Sequence, residues 1–430
     1  MRVRLASLQI LIIDEVSMVY KRLLYYIHER LVQIKKCKEP FGGISVIAVG
    51  DFYQLPPVKQ RKVEILYKEN DEYPVDYWIE FFKIIELEEI MRQREDAAFA
   101  TVLNSLRIER SEEPLSEDAK TMLKECIRDG PDEVLHVYPT NDEVNEYNLK
   151  MLRTNCEEFI EITAEDYQKD KTTGKLTLRE KPFIRTRTDG LSSSLLFSVK
   201  ARVMLTRNIN VEDGLVNGAI GYISAFELGT NQKRNRVEGI RIVFESKEIG
   251  KLQGKKTCHG NEVLIQRIQE DIKEKNTKNV VRHQFPLKLA WACTAHKVQG
   301  MTANSVVVNL DRTFAPGQAY VAISRVTSQK GLYIETKDEN ELPKKIYANP
   351  DVKSALEKMA KLIPEHDSLN LHPKDGKFKT IVLLNVQSLR GHFLDLKSDT
   401  RFLHADFICI TETWLTDNES TKNLEIHDFE

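Results

Sequence analysis

Four residues in this chain could do chemistry together if strands bring them together. They are Asp14 and Glu15 in "LIIDEVSMV" (11–19), and Asp51 and Gln54 in "GDFYQLPPV" (50–58). Each stretch follows a short apolar run, "SLQILII" (7–13) and "ISVIAVG" (44–50), of the kind found in fully buried parallel strands. Between the runs, "KRLLYYIHERLVQIKK" sets Leu23, Leu24, Ile27, Leu31 and Ile34 at helical spacing. Strand, helix, strand is the unit of an α/β sheet, whose ligands sit beyond the carboxyl ends of the strands. Asp14, Glu15, Gly50 and Asp51 all fall at such ends. An Asp there can hold hydrated Mg²⁺ beside a nucleotide, while the next Glu polarises an attacking water. Gln54, neutral with a donor and an acceptor, suits sensing a terminal phosphate or the water that attacks it. Taken alone, the acids read first as a solvated turn, since adjacent acids after a strand are common, and Pro56-Pro57 as a turn stiffener.

The bulk numbers leave room for that chemistry without specifying it. The 430 residues exceed one ordinary domain, so two or three are expected. A hydrophobic fraction of 41% supports real cores, and 63 Lys and Arg against 65 Asp and Glu give a net charge of −2. No global basic field exists, so any nucleic-acid contact must use a local groove. The six cysteines are scattered, with no C-x-x-C pair. Free thiols, no disulfide-linked partner and an intracellular setting are expected. No stretch has the length of a membrane-spanning helix, and no membrane partner is expected.

Further along, "EDAAFATVLNSLRIE" (95–109) predicts an amphipathic helix burying Phe99, Val102, Leu103 and Leu106. "VLHVYPTN" (134–141) reads as the first strand of a second α/β unit. From about Ser193 to Phe285, β-branched runs alternate with Gly and charge-rich turns, as in a small β-barrel-like insertion. "SVVVNL" (305–310) returns to a buried strand. Residues 336–378 read as a Lys/Glu/Pro-rich linker with one helix over 351–363, and "TIVLLNV" starts a fresh strand after Lys379.

In this order, "IIDEVSMV" and "GDFYQLPPV" resemble motifs II and III of superfamily-1 DNA helicases of the petite-integration-frequency type. "IMRQRED" (90–96) resembles that family's fourth motif, carrying Arg92 and Gln93. "PTNDEVNEYN" (139–148) and "VMLTRNINVEDGLVNGAIG" (203–221) resemble second-domain signatures. "LAWACTAHKVQGMT" (289–302) resembles motif V, and "GQAYVAISRVTSQKGLYI" (317–334) motif VI. The resemblance implies an α/β fold of two RecA-like domains with ATP and Mg²⁺ between them and single-stranded or forked DNA across their top. It implies an SH3-like insertion in the second domain, placed at about 223–286, and 5′ to 3′ translocation. Asp14, Glu15, Gln54, Arg92 and Arg325 would be catalytic, Asp14 the Mg²⁺ ligand and Arg325 an arginine finger. Gly50, Asp51, Gln93 and Gly300 would bind nucleotide; His296, Lys297, Gln299 and Thr302 would face DNA. Val298 stands where the family usually has Ser, and Cys293 and Ile323 look like core exchanges.

Two features depart from that pattern. A phosphate loop, G-x-x-x-x-G-K-[ST], is expected before Asp14, yet thirteen residues precede it without one. The nearest imitation, "GKLQGKKT" (250–257), has the wrong spacing and lies downstream, and is rejected as a phosphate loop. At the other end, "KTIVLLNVQSL" (379–389) and "ADFICITETWL" (405–415) resemble the opening of an endonuclease/exonuclease/phosphatase domain. There Asn385 would orient the metal site and Glu412 would bind Mg²⁺. The expected layout is therefore a remainder of the first RecA-like domain (1–112), a second (113–335), a linker (336–378) and a truncated nuclease domain (379–430). A helicase body followed by this nuclease type resembles the replication helicase of Helitron transposons. The family implies roles in repair, recombination, telomere maintenance or transposition, with the nucleus as the first expected location and the mitochondrion as the second. The alternatives are a non-catalytic single-stranded-DNA-binding remnant, or a nuclease-associated fragment whose helicase part is scaffold.

Overall fold

The computed structural model describes residues 5–57, 64–68, 72–87, 90–108, 115–170, 173–183, 190–229, 236–257, 260–272, 279–311, 315–337, 349–359, 381–385 and 407–411. The first lobe contains β1 (Ile10–Ile13), α1 (Lys21–Lys35), β2 (Ser45–Ala48) and α2 (Tyr77–Phe81). β1 and β2 pair in parallel, from Ile10 opposite Ser45 to Ile13 opposite Ala48. The expected parallel pair is present, but it is not buried on both faces. Leu11, Ile13, Val46 and Ala48 pack into a cluster with Leu24, Leu31, Phe41, Leu66 and Trp78. Ile12, which strand alternation turns the other way, is 44% exposed.

Helix α1 buries Lys21, Leu24, His28 and Leu31, a stripe with the three-and-four spacing of one helix face. Leu23, expected in that stripe, is exposed. Two polar residues hold the places instead, each with a partner. Lys21 forms an ion pair with Asp76, whose carboxylate also caps α2 by accepting from Ile79 N at 3.3 Å. His28 Nδ1 accepts the Phe41 N–H at 3.0 Å, and its ring stacks on Tyr77 at 3.9 Å.

Helix α3 (Ala97–Ile108), counted with the first domain (1–112) in the expected layout, packs into the core of the second lobe, which continues with α4 (Glu117–Lys124), β3 (Leu135–Tyr138) and α5 (Asn141–Asn155). On α3, Phe99, Val102, Leu103 and Leu106 are buried as expected. They join β3 and later strands of the second lobe in one core, together with Leu55 from the "GDFYQLPPV" loop. Helix α5 starts at a capping box: Thr140 Oγ1 accepts from Glu143 N, and Glu143 Oε2 accepts from Thr140 N, each at 3.3 Å.

A long β-rich stretch follows. Its strands are β4 (Ile160–Thr163), β5 (Glu165–Lys169), β6 (Leu176–Leu178), β7 (Ser194–Phe197), β8 (Arg202–Leu205) and β9 (Ile220–Leu228). Then come β10 (Val237–Phe244), β11 (Lys255–Thr257), β12 (Gly260–Gln266), β13 (Ile268–Asp271), β14 (Val280–Gln284) and β15 (Leu287–Leu289). They form antiparallel sheets in the orders β11-β12-β10-β9-β8-β15 and β13-β14-β5-β6, with β4 paired to β7. The β-rich texture expected from about Ser193 to Phe285 begins earlier in the structure: its strands run from Ile160 to Leu289. The early strands escape pattern reading because they lack an apolar alternation: β5 is "EDYQK", with Asp166 buried, and β6 is the short, exposed "LTL". What holds β5 to β14 is polar. Arg282 faces Asp166 in register, and both side chains are fully buried in a bidentate pair at 2.8 and 2.9 Å.

The chain then returns to the second lobe with β16 (Ala292–Thr294), α6 (Ala295–Val298), β17 (Val306–Asn309), α7 (Gln318–Ile323) and β18 (Leu332–Glu335). These give a parallel sheet in the order β16-β3-β17-β18. Cys293 and Ile323 are fully buried, as expected of core residues, and Val298 also lies in that core.

Helix α8 (Pro350–Lys358) falls inside the stretch expected to be a linker, but it docks on the first lobe. Val352 and Ala355 are buried with Tyr53 and Tyr67, and Asn349 Nδ2 donates to Tyr67 Oη at 2.8 Å. Farther on, β19 (Ile381–Asn385) and β20 (Phe407–Thr411) pair in parallel with Asn385 opposite Thr411. Glu412 lies outside the described residues.

Breaking a fully buried ion pair by removing one charge typically costs about 3–5 kcal/mol, because the partner is left buried and uncompensated. Asp166→Asn is therefore expected to lower the denaturant midpoint of the β-rich region by that order. Asp166→Leu combined with Arg282→Met should cost much less. Equal loss in the single and double variants would show that the pair's charge is not what matters.

Candidate functional site

Strand β1 delivers Asp14 and Glu15 to the mouth of a cleft between the lobes. Asp14 is exposed, and its Oδ1 accepts the Glu15 N–H at 2.7 Å. Glu15 itself adopts a left-handed conformation, φ 49° and ψ 49°. That turn sends its side chain to the second lobe, where Oε2 accepts from Gln299 Nε2 at 2.9 Å. The same amide reaches Ser17 Oγ at 3.2 Å. Gly300, at φ +77°, continues the contact: a Cβ there would lie 3.4 Å from Glu15 Oε1.

The second strand end builds a brace. Asp51 accepts from Arg107 Nε at 2.8 Å and from Nη2 at 3.0 Å, and the guanidinium lies over the Tyr53 ring at 4.6 Å. Asp51 thus ties its loop to the last turn of α3, an engagement other than the nucleotide contact expected of it. Gly50 sits against Val16, whose N–H donates to Val49 O at 2.9 Å. Arg107 was not singled out in the sequence because its partner lies 56 residues away. Gly317 caps α7 at φ +76°, and a Cβ there would stand 2.4 Å from Tyr53 O. The loop carrying Gln54 is therefore pressed onto the helix that leads to Arg325.

Arg325 is 2% exposed. Its Nη2 donates to Ser324 Oγ at 2.8 Å and Nη1 to Val298 O at 3.4 Å. Burial, and then the like charge of Arg92, bring the guanidinium down to about 10, against the opposing pull of Tyr320, Glu15 and Asp51. Tyr320 beside it is pushed up to about 12 by burial. Arg92 donates to Thr302 Oγ1 at 2.9 Å and to Ser324 O at 3.2 Å. Gln93 is buried and its amide donates to Ser324 O at 3.2 Å and Val326 O at 2.6 Å. It braces the turn before Arg325, and both donors expected to meet a nucleotide are already engaged.

Among the described residues, Gln54 Oε1, Gln299 Oε1 and Arg325 Nε are buried polar atoms without a hydrogen-bond partner. Such atoms are costly to leave unmade. His296 is half-buried, with its pKa lowered by burial and then by Lys297; Lys297 and Thr302 are exposed. A hydrated Mg²⁺ fits the acids in one way. Asp14 has one carboxylate oxygen engaged, leaving the other for an outer contact of an ion that keeps waters and phosphates. Among the described residues, no group of three or more His, Cys, Asp or Glu could hold a metal alone. Asn385 lies at the end of β19, far along the chain from this cleft.

The "GKLQGKKT" stretch is confirmed as something other than a phosphate loop. Its N–H groups at Leu252 and Gln253 donate to the buried Asp213 carboxylate at 2.8 and 3.1 Å. A carboxylate of the chain occupies the place an anion would take.

The architecture, strand-end acids facing a buried arginine across a cleft in a mixed α/β chain, is that of a RecA-like core. Residues 1–108 match the family model described as PIF1-like helicase. The ATP-dependent DNA helicase PIF1 of Danio rerio is 33% identical over 349 residues, 80% of this chain and 48% of that protein. The crystal structure of Pif1 helicase from Candida albicans superposes with a TM-score of 0.64 at 27% identity, covering 82% of this chain and 76% of that one. Bacteroides Pif1 bound to ssDNA gives 0.63 at 26%, covering 83% and 76%. By sequence and fold, this chain is similar to PIF1 helicases, and its residues 1–108 carry the match to the PIF1-like family model. It spans about half the length of the curated relatives it matches.

Gly317→Ala adds a Cβ where φ is positive and a backbone oxygen already stands. A loss of about 1–3 kcal/mol is expected in denaturant titration. A midpoint equal to that of the unsubstituted chain would show that the Gln54 loop is not held against α7.

Proposed function

We propose that this chain is the working core of an ATP-dependent DNA helicase that moves 5′ to 3′ along single-stranded or forked DNA. The observation that carries the reading is the cleft itself. Glu15 is bonded to Gln299 of the second lobe and acts electrostatically on the buried Arg325, while Gln299 Oε1, Arg325 Nε and, on the loop pressed against α7, Gln54 Oε1 have no hydrogen-bond partner among the described residues. A triphosphate supplies acceptors for Arg325 Nε, and a lytic water supplies donors for the amide oxygens of Gln54 and Gln299. Arg325 and Arg92 balance charge on the transferring phosphoryl group, Glu15 orients the water, and Asp14 holds Mg²⁺ through its water shell. Gln299 and Gly300 touch Glu15 and lie beside Lys297 and Thr302, so nucleotide state and DNA contact share one loop. His296, Lys297, Gln299 and Thr302 form the DNA-facing set.

The finer assignments follow the same resemblance. The β-rich region is an SH3-like subdomain of the second lobe. Residues 379–430 begin a nuclease domain in which Glu412, beside Asn385, would bind Mg²⁺. The resemblance to a helicase followed by a nuclease supports a reading of Helitron-type transposition ahead of repair, recombination or telomere maintenance, with the nucleus the first proposed location and the mitochondrion the second. Among the described residues, no helix is long and apolar enough to cross a membrane.

The phosphate cradle is a separate requirement of the helicase reading. The 430 residues contain no G-x-x-x-x-G-K-[ST], whose backbone N–H groups and Lys carry most of a triphosphate's charge. Without that cradle the γ-phosphate is not held near Gln54 or Arg325, and positioning dominates phosphoryl transfer. The 430-residue chain alone is therefore expected to release phosphate at background, with or without single-stranded DNA. Adding a relative's phosphate-loop segment before Met1 should bring DNA-stimulated turnover, and Glu15→Gln or Arg325→Ala should remove it. Turnover that survives Glu15→Gln would sink the assignment of the strand-end acids.

A further inference from the structure

Lys288 lies in the middle of β15, between Leu287 and Leu289, which pack into the core of the β-rich region. Strand alternation turns it to the opposite face, the side of its register partner Met204. Met204 clusters there with Ile220, Ala290 and Met301. Met301 follows Gly300 directly, so this face of the sheet meets the loop that joins Glu15 to the DNA-facing residues.

Lys288 is half-buried in that seam. Among the described residues it has no ion pair and no hydrogen bond. Burial lowers its pKa, Lys297 lowers it further, and Cys293 is the group that opposes. No carboxylate is among the groups acting on it. Three other buried cations carry acids: Lys21 has Asp76, Arg202 has Glu245 and Arg282 has Asp166, whereas Arg325, like Lys288, has none bonded to it. An ammonium desolvated beside a second lysine, with no counter-ion, has the surroundings of a group whose anion comes from outside.

We propose that Lys288 is a phosphodiester contact of the DNA track, acting with Lys297 at the seam between the β-rich region and the second α/β lobe. The proposal rests on the reading of the 296–302 loop as DNA-facing. Lysine suits the place: it stands directly cross-strand from Met204, where an apolar stem is compatible with the face, and its head, a compact point charge, needs no planar partner. A phosphate entering the seam relieves the repulsion between the two ammoniums and restores the solvation that burial removed. Because it meets the backbone, the contact adds affinity without base preference.

The test is binding of the full 430-residue chain to a fluorescein-labelled oligo-dT, followed by anisotropy across a salt series. Each phosphate neutralised on a single strand contributes about 0.7 to the log-log salt slope. Lys288→Gln and Lys297→Gln are each expected to lower the slope by about that amount, and the double variant by about twice as much. Lys288→Arg should keep the slope. Lys288→Met, which retains an apolar stem, should lose as much as Lys288→Gln, separating charge from folding. In the unsubstituted chain, bound oligo-dT should also protect Lys288 from an amine-acylating reagent, read by mass spectrometry. A slope unchanged in both Lys288→Gln and Lys288→Met while Lys297→Gln lowers it, or acylation of Lys288 unaffected by oligo-dT, overturns this proposal and leaves the DNA reading standing. Absent or salt-insensitive binding by the unsubstituted chain overturns both.

Discussion

One side-chain amide joins the two lobes at the point where chemistry is proposed. Gln299 Nε2 donates to Glu15 Oε2 and reaches Ser17 Oγ, so the end of β1 and the loop after α6 are held by the same group. Much of the local backbone serves that contact. Glu15 takes a left-handed conformation that a β-strand continuation would not allow, and Gly300 does the same on the other side. Two adjacent acids at a strand end are thereby split in role. Asp14 stays exposed and accepts from the backbone beside it, while Glu15 crosses to the other lobe.

A second path runs beside the first. Arg107 grips Asp51, Tyr53 O stands against Gly317, and Leu55 enters the core of the second lobe. The loop bearing Gln54 is thus fixed to α3 and α7 together, and α8 backs it from outside through Val352 and Ala355. Displacement of α7 would move Gln54 and Arg325 in concert, because packed interiors transmit shifts rather than absorb them.

The legible parts of this chain were those with local signals. Strand runs ending in acids, the 3.6 period of α3 and the capping box of α5 involve neighbours within a turn or two. The missed parts depend on distant pairing. Arg107 reads as an ordinary helix residue until Asp51 stands beside it. Lys21 and His28 sit in a buried stripe because Asp76 and the Phe41 N–H satisfy them, which no periodicity of apolar residues could announce. The strands before Ser194 were missed because the interaction that secures β5 to β14 is a buried charge pair rather than alternating hydrophobes. α8 was expected near its observed position, but its docking partners, Tyr53 and Tyr67, lie almost 300 residues earlier in the sequence.

Two buried arginines separate what stabilises this fold from what it is poised to do. Arg282 gives Nε and Nη2 to Asp166, Nη1 to Leu191 O at 3.0 Å, and a further bond to Phe183 O. Its charge is neutralised and its donors are used, as burial of a guanidinium requires. Arg325 is buried almost as deeply but has no carboxylate bonded to it, a like charge nearby and an unpaired Nε. Both would count alike in a tally of buried charge. Their partners make the difference: the first is complete within the chain, whereas the second becomes complete when an anion shares its cleft. An arginine left in that state costs stability, and the fold sustains it near the place where Glu15 meets Gln299.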